Sequence, residues 1–353
     1  MGKEQKMSAA DAETIKRRRI LAAWLFAVAA MVFVMVVLGG VTRLTNSGLS
    51  MVEWKPLTGW FPPFHDADWQ VLFDKYKAYP EFREMNWDMT LTGFKGIFWL
   101  EFVHRLWGRI IGVVFFVPFV FFMLRGWVDK PLGLRFALMF VLGALQGVMG
   151  WYMVKSGLVD EPDVSQYRLA AHLILAFAIY AYILWVAIGL RLGPPTEADK
   201  GPLTRWSSAL LVLIFVTAFS GALVAGLDAG LTYNTFPLMD GDLIPERMFE
   251  MQPIYINLFE NITTVQFDHR VLAELTFVAV LALWFAGRRH GAGGGLALAL
   301  NWLAALAVMQ VTLGISTLLL VVPVPLAAAH QAGAALLLGA AVWVLREAVS
   351  AGK

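Results

Sequence analysis

Residues 101–124 read EFVHRLWGRIIGVVFFVPFVFFML, an apolar run with His104 near its head. A helix needs roughly 20 apolar residues to cross a bilayer core, and this run has that length. Seven other stretches qualify, at about 20–40, 134–154, 169–191, 206–226, 269–287, 296–321 and 326–346. The 353 residues are 59% hydrophobic and 15% charged, with a mean hydropathy of +0.65. The fold class is therefore an all-α integral membrane protein with eight transmembrane helices. Lys16-Arg17-Arg18-Arg19 precedes the first stretch, which is too long for a signal peptide and ends in Gly39-Gly40 without a cleavage site. It reads as a retained helix.

Positive charge is held on the cytoplasmic side of a membrane. The N-terminal tail carries six Lys or Arg residues, and the connections Arg125 to Arg135, Arg191 to Arg205 and Arg288-Arg289 are basic and fall on the same face. The other face receives the long 41–100 segment, the 155–168 loop with Asp160, Glu161 and Asp163, the 227–268 loop and the uncharged turn at 321–325. Both termini are thus expected in the cytoplasm. A net charge of +2 without a basic surface stretch argues against nucleic acid as a partner. The chain has no cysteine, which excludes disulfides, thiolate-held clusters and CxxCH haem attachment.

The chain repeats itself. Gly221-Ala222-Leu223 echoes Gly40-Val41-Thr42, and residues 228–232 echo 46–50. His269 follows His104 by 165 positions, Gln310 follows Gln146 by 164, and His330 follows His172 by 158. These matches in one order imply a duplicated four-helix unit. An even number of spans per unit gives the copies the same orientation, as parallel repeats about an axis near the membrane normal. The expected organisation is a cytoplasmic tail (1–19), a first four-helix bundle (20–192, with the outer loop 41–100), a linker (193–205), a second bundle (206–347) and a tail (348–353).

The four histidines His104, His172, His269 and His330 each lie near the start of a span running inward from the outer face. His104 with His172, and His269 with His330, form two pairs that suit bundle-core haem sites. A lone intramembrane histidine is often a packing residue, but four at one depth point to function. His65 and His290 have no repeat partner and read as solvated. Arg105 and Arg270 follow their histidines and suit haem propionates or the headgroup region. Gln146 and Gln310 suit hydrogen bonds between helices, and glycines 39, 40, 147, 150, 221, 226 and 314 suit close helix contact. Glu101 shares a helix face with His104, whereas the matching residue is Gln266. It reads either as a chemical group or as an acid favourable to a helix N-terminus. Asp66 to Lys77 spaces Trp69, Leu72, Phe73 and Tyr76 as a short amphipathic helix, either covering the first pocket or bracing it at the membrane surface.

These residues resemble the haem (heme) A synthases of the bacterial CtaA and mitochondrial type. The resemblance rests on Gly39 to Thr45 with Ser47-Gly48-Leu49-Ser50, on Glu101 to Arg105, on Asn234 to Met239, and on Ala329-His330-Gln331. It implies eight transmembrane helices in two pseudo-symmetric halves, and oxidation of a methyl group of haem O to a formyl group, giving haem A for terminal oxidases. It further implies a heme B cofactor on the iron ligands His269 and His330, with Arg270 beside it. The substrate haem O is implied at His104 and His172 with Arg105, and Glu101 close to the chemistry. Some relatives carry a cysteine pair in outer loops that this chain lacks, so it resembles the proteobacterial and mitochondrial branch. Glu4, Asp11 and Glu13 suit a transit peptide poorly, so the expected location is a bacterial inner membrane with the haem sites toward the outer face. Expected partners are haem O, lipid, a haem O synthase, an electron donor and a second copy of the chain. The alternative is a di-haem b-type cytochrome passing electrons from quinol. A transporter fits less well, because the histidines cluster toward one face rather than at the midplane.

Overall fold

The computed structural model describes residues 9–56, 58–158, 164–193 and 201–350. The expected acidic loop residues Asp160, Glu161 and Asp163, most of the 193–205 linker, Glu4 in the tail and the last three residues lie outside the described residues. Eight helices are long and apolar enough to cross a membrane: α1 (Ala9–Leu44), α4 (Leu91–Leu124), α5 (Lys130–Gly157), α6 (Gln166–Leu192), α7 (Pro202–Gly226), α9 (Ile262–Arg289), α10 (Gly294–Leu319) and α11 (Val324–Ser350). Short helices α2 (Asp66–Tyr76), α3 (Pro80–Glu84) and α8 (Asn257–Glu260) lie in the two long loops. The described residues contain no strand beyond one isolated bridge.

Helix ends differ from the expected ones for local reasons. Thr90 caps α4 by accepting from the Gly93 N–H at 3.3 Å, and Asn261 caps α9 by accepting from the Thr264 N–H at 3.1 Å. Both helices therefore start several residues before their apolar runs. His104 becomes the fourteenth residue of α4, about 20 Å from its start at 1.5 Å per residue, rather than a residue just inside it. Among the described residues α1 runs from Ala9 and α7 from Pro202, each ahead of its apolar run. α11 continues past residue 347 to Ser350.

Helix neighbours recur in one order. α1 packs on α4 and α6, and α5 on α6, while α7 packs on α9 and α11, and α10 on α11. The seam joins α6 to α7, and α11 to both α1 and α6. Within it, Gln331 Nε2 donates to the Val36 carbonyl at 2.8 Å. At one end of the seam Arg43 reaches the Ala225 carbonyl at 3.3 Å and Asp228 at 3.6 Å. At the other, Arg346 donates to the Gly193 carbonyl at 2.8 Å. The apolar core runs along α1, α6 and α11. α4 and α5 bury few residues and turn Val113, Val117, Leu138, Val141 and Val148 outward, as suits helices whose backbone is satisfied internally and whose sides meet lipid.

The long first loop has its own core. Trp69, Phe73 and Tyr76 of α2 pack on Phe94, Phe98 and Phe102 of α4. α2 thus braces the early turns of α4. Next to it, Glu53 sits between Lys55 at 2.6 Å and Lys75, and these cations hold its carboxyl below the ordinary range. His65, before α2, and His290, after α9, are exposed.

Phe94 is fully enclosed, so Phe94→Ala should cost about 3–5 kcal/mol locally. Limited proteolysis in micelles should then cleave within residues 55–90 well before the parent does, with the second half of the chain still resistant. Parent-like cleavage would contradict the bracing role of this cluster.

Candidate functional site

Each of the four repeated histidines lays its ring edge against a glycine of a neighbouring helix. A Cβ added at Gly39 would sit 3.0 Å from His104 Cε1, at Gly150 3.3 Å from His172 Cε1, at Gly221 2.9 Å from His269 Cε1, and at Gly314 2.8 Å from His330 Cε1. At Gly221 and Gly314 an added methyl would collide with the imidazole, while at Gly39 and Gly150 the ring would have to yield by a few tenths of an ångström. Helices α1 and α4, α5 and α6, α7 and α9, and α10 and α11 are thereby fitted to one another through a ring. Gly147 faces open space, whereas Gly40 accommodates Gln331 and Gly226 accommodates Gln166.

The glutamines secure this arrangement. Gln146 Nε2 donates to the His172 carbonyl at 3.1 Å, and Gln310 Nε2 donates to the His330 carbonyl at 3.0 Å. Each thus ties its own helix to the histidine-bearing neighbour.

A second repeated device lies one turn before the histidines in α4 and α9. Arg105 donates to the Glu53 carbonyl at 3.1 Å, to the Met51 carbonyl at 2.9 Å and to Glu101. Arg270 donates to the Thr235 carbonyl at 2.9 Å, to the Tyr233 carbonyl at 2.6 Å and to Gln266 Oε1 at 3.2 Å. The two sets of loop residues are separated by 182 positions, as are Asn46 and Asp228, both in the left-handed region at φ 48° and 50°. The same spacing relates Gly221 to Gly39, so the earlier match of Gly221 with Gly40 is out by one residue. Through the loops and the preceding helix ends, the repeat keeps one register.

Glu101 is buried and bonded on both oxygens: Ser50 Oγ and the Met51 N–H donate to Oε2 at 2.6 Å each, and Arg105 to Oε1. Both carboxyl oxygens are thus engaged, one by the loop and the other by the guanidinium. As the eleventh residue of α4, it lies beyond the first turn where the helix dipole acts, so that alternative reading does not apply. Gln266 instead donates through Nε2 to the Ala229 carbonyl at 2.8 Å and the Thr232 carbonyl at 2.6 Å. The two halves share a clamp of opposite hydrogen-bond polarity. Above the first, a cavity of about 290 Å³ is bounded by Met51, Trp54, Tyr79, Arg105, Trp151 and Lys155.

The residues fit a haem rather than a bare ion. Among the described residues no three His, Asp or Glu side chains gather as a metal site, and a pair of imidazoles supplies only the two axial positions of an iron whose equatorial ligands come from a macrocycle. Nδ1 of His104, His172 and His330 is enclosed without a protein partner, and Nδ1 of His269 meets Ser220 Oγ at 2.9 Å. No described group bonds Nε2 of any of the four rings, which leaves that nitrogen to a ligand. Ser50, Ser220, Thr217, Thr276 and Gln331 also belong to these surroundings. For Ser220, Thr217, Thr276 and Gln331 the signal was a hydroxyl or amide group inside an apolar span, whereas Ser50 lies in the loop after α1.

The family model for the cytochrome oxidase assembly protein COX15-CtaA matches residues 22–342. The chain is 55% identical over 330 residues to the heme A synthase of Nitrosospira multiformis, covering 93% of each chain. It is 53% identical to that of Nitrosomonas eutropha, again covering 93% of each. With the human heme A synthase COX15 the identity is 46% over 338 residues, 93% of this chain and 82% of the relative. A match of this extent, over a fold in which every repeated histidine has its glycine, shows that the chain belongs to the COX15-CtaA family of cytochrome oxidase assembly proteins.

Proposed function

We propose that this protein is a haem A synthase, an enzyme that oxidises a methyl group of haem O to a formyl group. The observation that carries the reading is the duplicated histidine pocket with unequal clamps: one half has Glu101 where the other has Gln266. Two equivalent electron-transfer haems would not call for that difference. His269 and His330 hold haem B, and His104 and His172 hold the substrate haem O. Haem B, when bound, supplies one-electron redox chemistry.

The chain's own groups do the rest. Gly221 and Gly314 let the second pair of imidazoles reach their positions, and Gly39 and Gly150 do so for the first. Arg105 and Arg270 hold the loops over each pocket and add positive charge at a rim suited to propionates. Lipid-facing α4 and α5 suit the isoprenoid tail. Conversion of methyl to formyl is a four-electron oxidation that takes up one oxygen atom, so an external oxidant must accept the electrons and the oxygen must come from outside the chain. Glu101 is the acid we assign to this chemistry: a carboxylate fixed one turn from His104, it stabilises positive charge that develops as the methyl carbon is oxidised. The protein lies in a bacterial inner membrane as two four-helix bundles, with both termini cytoplasmic and the pockets toward the outer face. A haem O synthase, an electron donor and a second copy are its proposed partners.

His269→Ala and His330→Ala should each remove the stable low-spin b-type spectrum of the purified protein. His104→Ala and His172→Ala should keep it while abolishing haem A formation. Loss of all haem from well-folded His104→Ala protein would rule out two independent pockets.

The glycine contacts make a separate test. Gly314→Val should expel the His330 ring and lower haem B content at least several-fold, whereas Gly147→Ala, with open space around it, should leave content unchanged. Equal haem in both variants, by pyridine haemochrome assay, would refute the cradle.

Glu101→Gln keeps side-chain size and removes the charge. Haem A, measured chromatographically against haem O at equal protein level, should fall by roughly 100-fold, a usual scale for a general acid–base group. Haem B content and protease resistance should match the parent, separating a chemical effect from a broken clamp. Normal haem A would exclude Glu101 from the reaction.

A further inference from the structure

The two halves differ again around the histidines of α4 and α9, in a place the clamps do not reach. Ser220 is buried, and its Oγ lies 2.9 Å from His269 Nδ1 and 2.8 Å from the Thr217 carbonyl. A carbonyl can only accept, so the serine proton turns to Thr217 and Oγ presents a lone pair to Nδ1. Nδ1 then carries the ring proton and Nε2 keeps its lone pair. Thr217 is secured in turn: its hydroxyl contacts Thr276 Oγ1 at 2.7 Å, and both hydroxyls also lie within bonding distance of backbone carbonyls, Leu213 for Thr217 and Leu272 for Thr276. The result is a buried polar chain from α9 through α7 and back to His269.

The first half has none of it. In the registers established above, Ser220 corresponds to Leu38, Thr217 to Met35 and Thr276 to Ile111. All three polar positions are apolar there, and His104 Nδ1 has no partner. His172 also lacks one, so of the repeat-related pair His104 and His269 only the second has a side-chain hydroxyl against Nδ1.

We propose that Ser220, backed by Thr217 and Thr276, is a positioning residue that fixes His269 with its proton on Nδ1 and its lone pair at Nε2, so that the second pocket retains its haem while the first, lacking this device, exchanges its own. The inference rests on the assignment of haem B to His269 and His330. A hydrogen bond from the outer nitrogen of a metal-bound imidazole raises ligand basicity and orients the ring. It therefore favours the ferric state and slows release. The absence of such a bond at His104 suits a pocket that must accept substrate and let product go.

The test uses the full-length holoprotein in detergent and two measurements: the midpoint potential of the bound haem, and the rate of its transfer to excess apomyoglobin. Ser220→Ala, and Ser220→Leu, which installs the residue of the first half, should speed transfer about tenfold or more. Both should weaken the ferric preference about tenfold, which is 59 mV toward positive potential for one electron. Ser220→Thr keeps a hydroxyl and should stay within twofold of the parent on both measures. Ser220→Ala protein with full haem content and parental potential and transfer rate would overturn the proposal, as would a threonine variant indistinguishable from alanine. Ser220→Ala removes bulk without adding any, so it remains informative if Ser220→Leu fails to fold. His269→Ala is the companion control. Retention of haem B by that variant would overturn the pocket assignment itself, and with it the role of Ser220, whereas its loss together with unaffected Ser220→Ala protein would refute the positioning role alone.

Discussion

The seating of an imidazole edge against a glycine backbone is the contact on which this architecture turns. It occurs at Gly39, Gly150, Gly221 and Gly314, each time between a histidine-bearing helix and a neighbour. A methyl group at Gly221 or Gly314 would push the ring or the helices apart, and a packed interior absorbs such a change poorly. Because lipid offers helices little hydrophobic reason to associate, small residues and interhelical hydrogen bonds must set their spacing. The Gln146 and Gln310 amides complete that role by gripping the carbonyls of His172 and His330. Helix spacing and ring placement are thus one constraint.

The repeated clamp shows how a duplicated scaffold diverges without losing shape. Arg105 and Arg270 bind carbonyls of corresponding loop residues, yet Glu101 accepts hydrogen bonds where Gln266 donates them. One substitution of carboxylate for amide requires the loop to present an N–H and a hydroxyl instead of two carbonyls. The first half therefore pairs Arg105 with the Glu101 carboxyl, and the second pairs Arg270 with the Gln266 amide. Around His269 the divergence runs the other way, with a hydroxyl chain in the second half and aliphatic side chains in the first. The clamps differ in hydrogen-bond polarity, and the surroundings of His269 and His104 differ in having hydroxyls or not.

The first loop adds a third difference. Its α2 helix and aromatic cluster extend α4 outward and bring Met51 and Glu53 to Arg105. The cavity beside them is bordered by Lys155 as well as Arg105, while the position corresponding to Lys155 in α10 is Leu319. The first half thus carries a lysine at its rim where the second has a leucine.

Length and periodicity of the apolar runs determined eight membrane helices, and the ordered recurrence of His, Arg and Gln determined a duplication with paired histidines. Those features survive in sequence because a bilayer demands about 20 apolar residues per crossing and penalises every unexplained polar group. Helix ends were less legible: Thr90 and Asn261 are ordinary caps, but apolarity alone placed the starts of α4 and α9 too late. The one-residue slip between Gly39 and Gly40 has the same origin, since adjacent glycines look alike until one of them meets a ring. The roles of Ser220, Gln331 and the inverted polarity of Glu101 and Gln266 were decided by tertiary structure only. Each depends on which atom of a side chain faces which group on another helix, and a hydrogen bond or a close contact is set by tenths of an ångström that spacing along a chain does not encode.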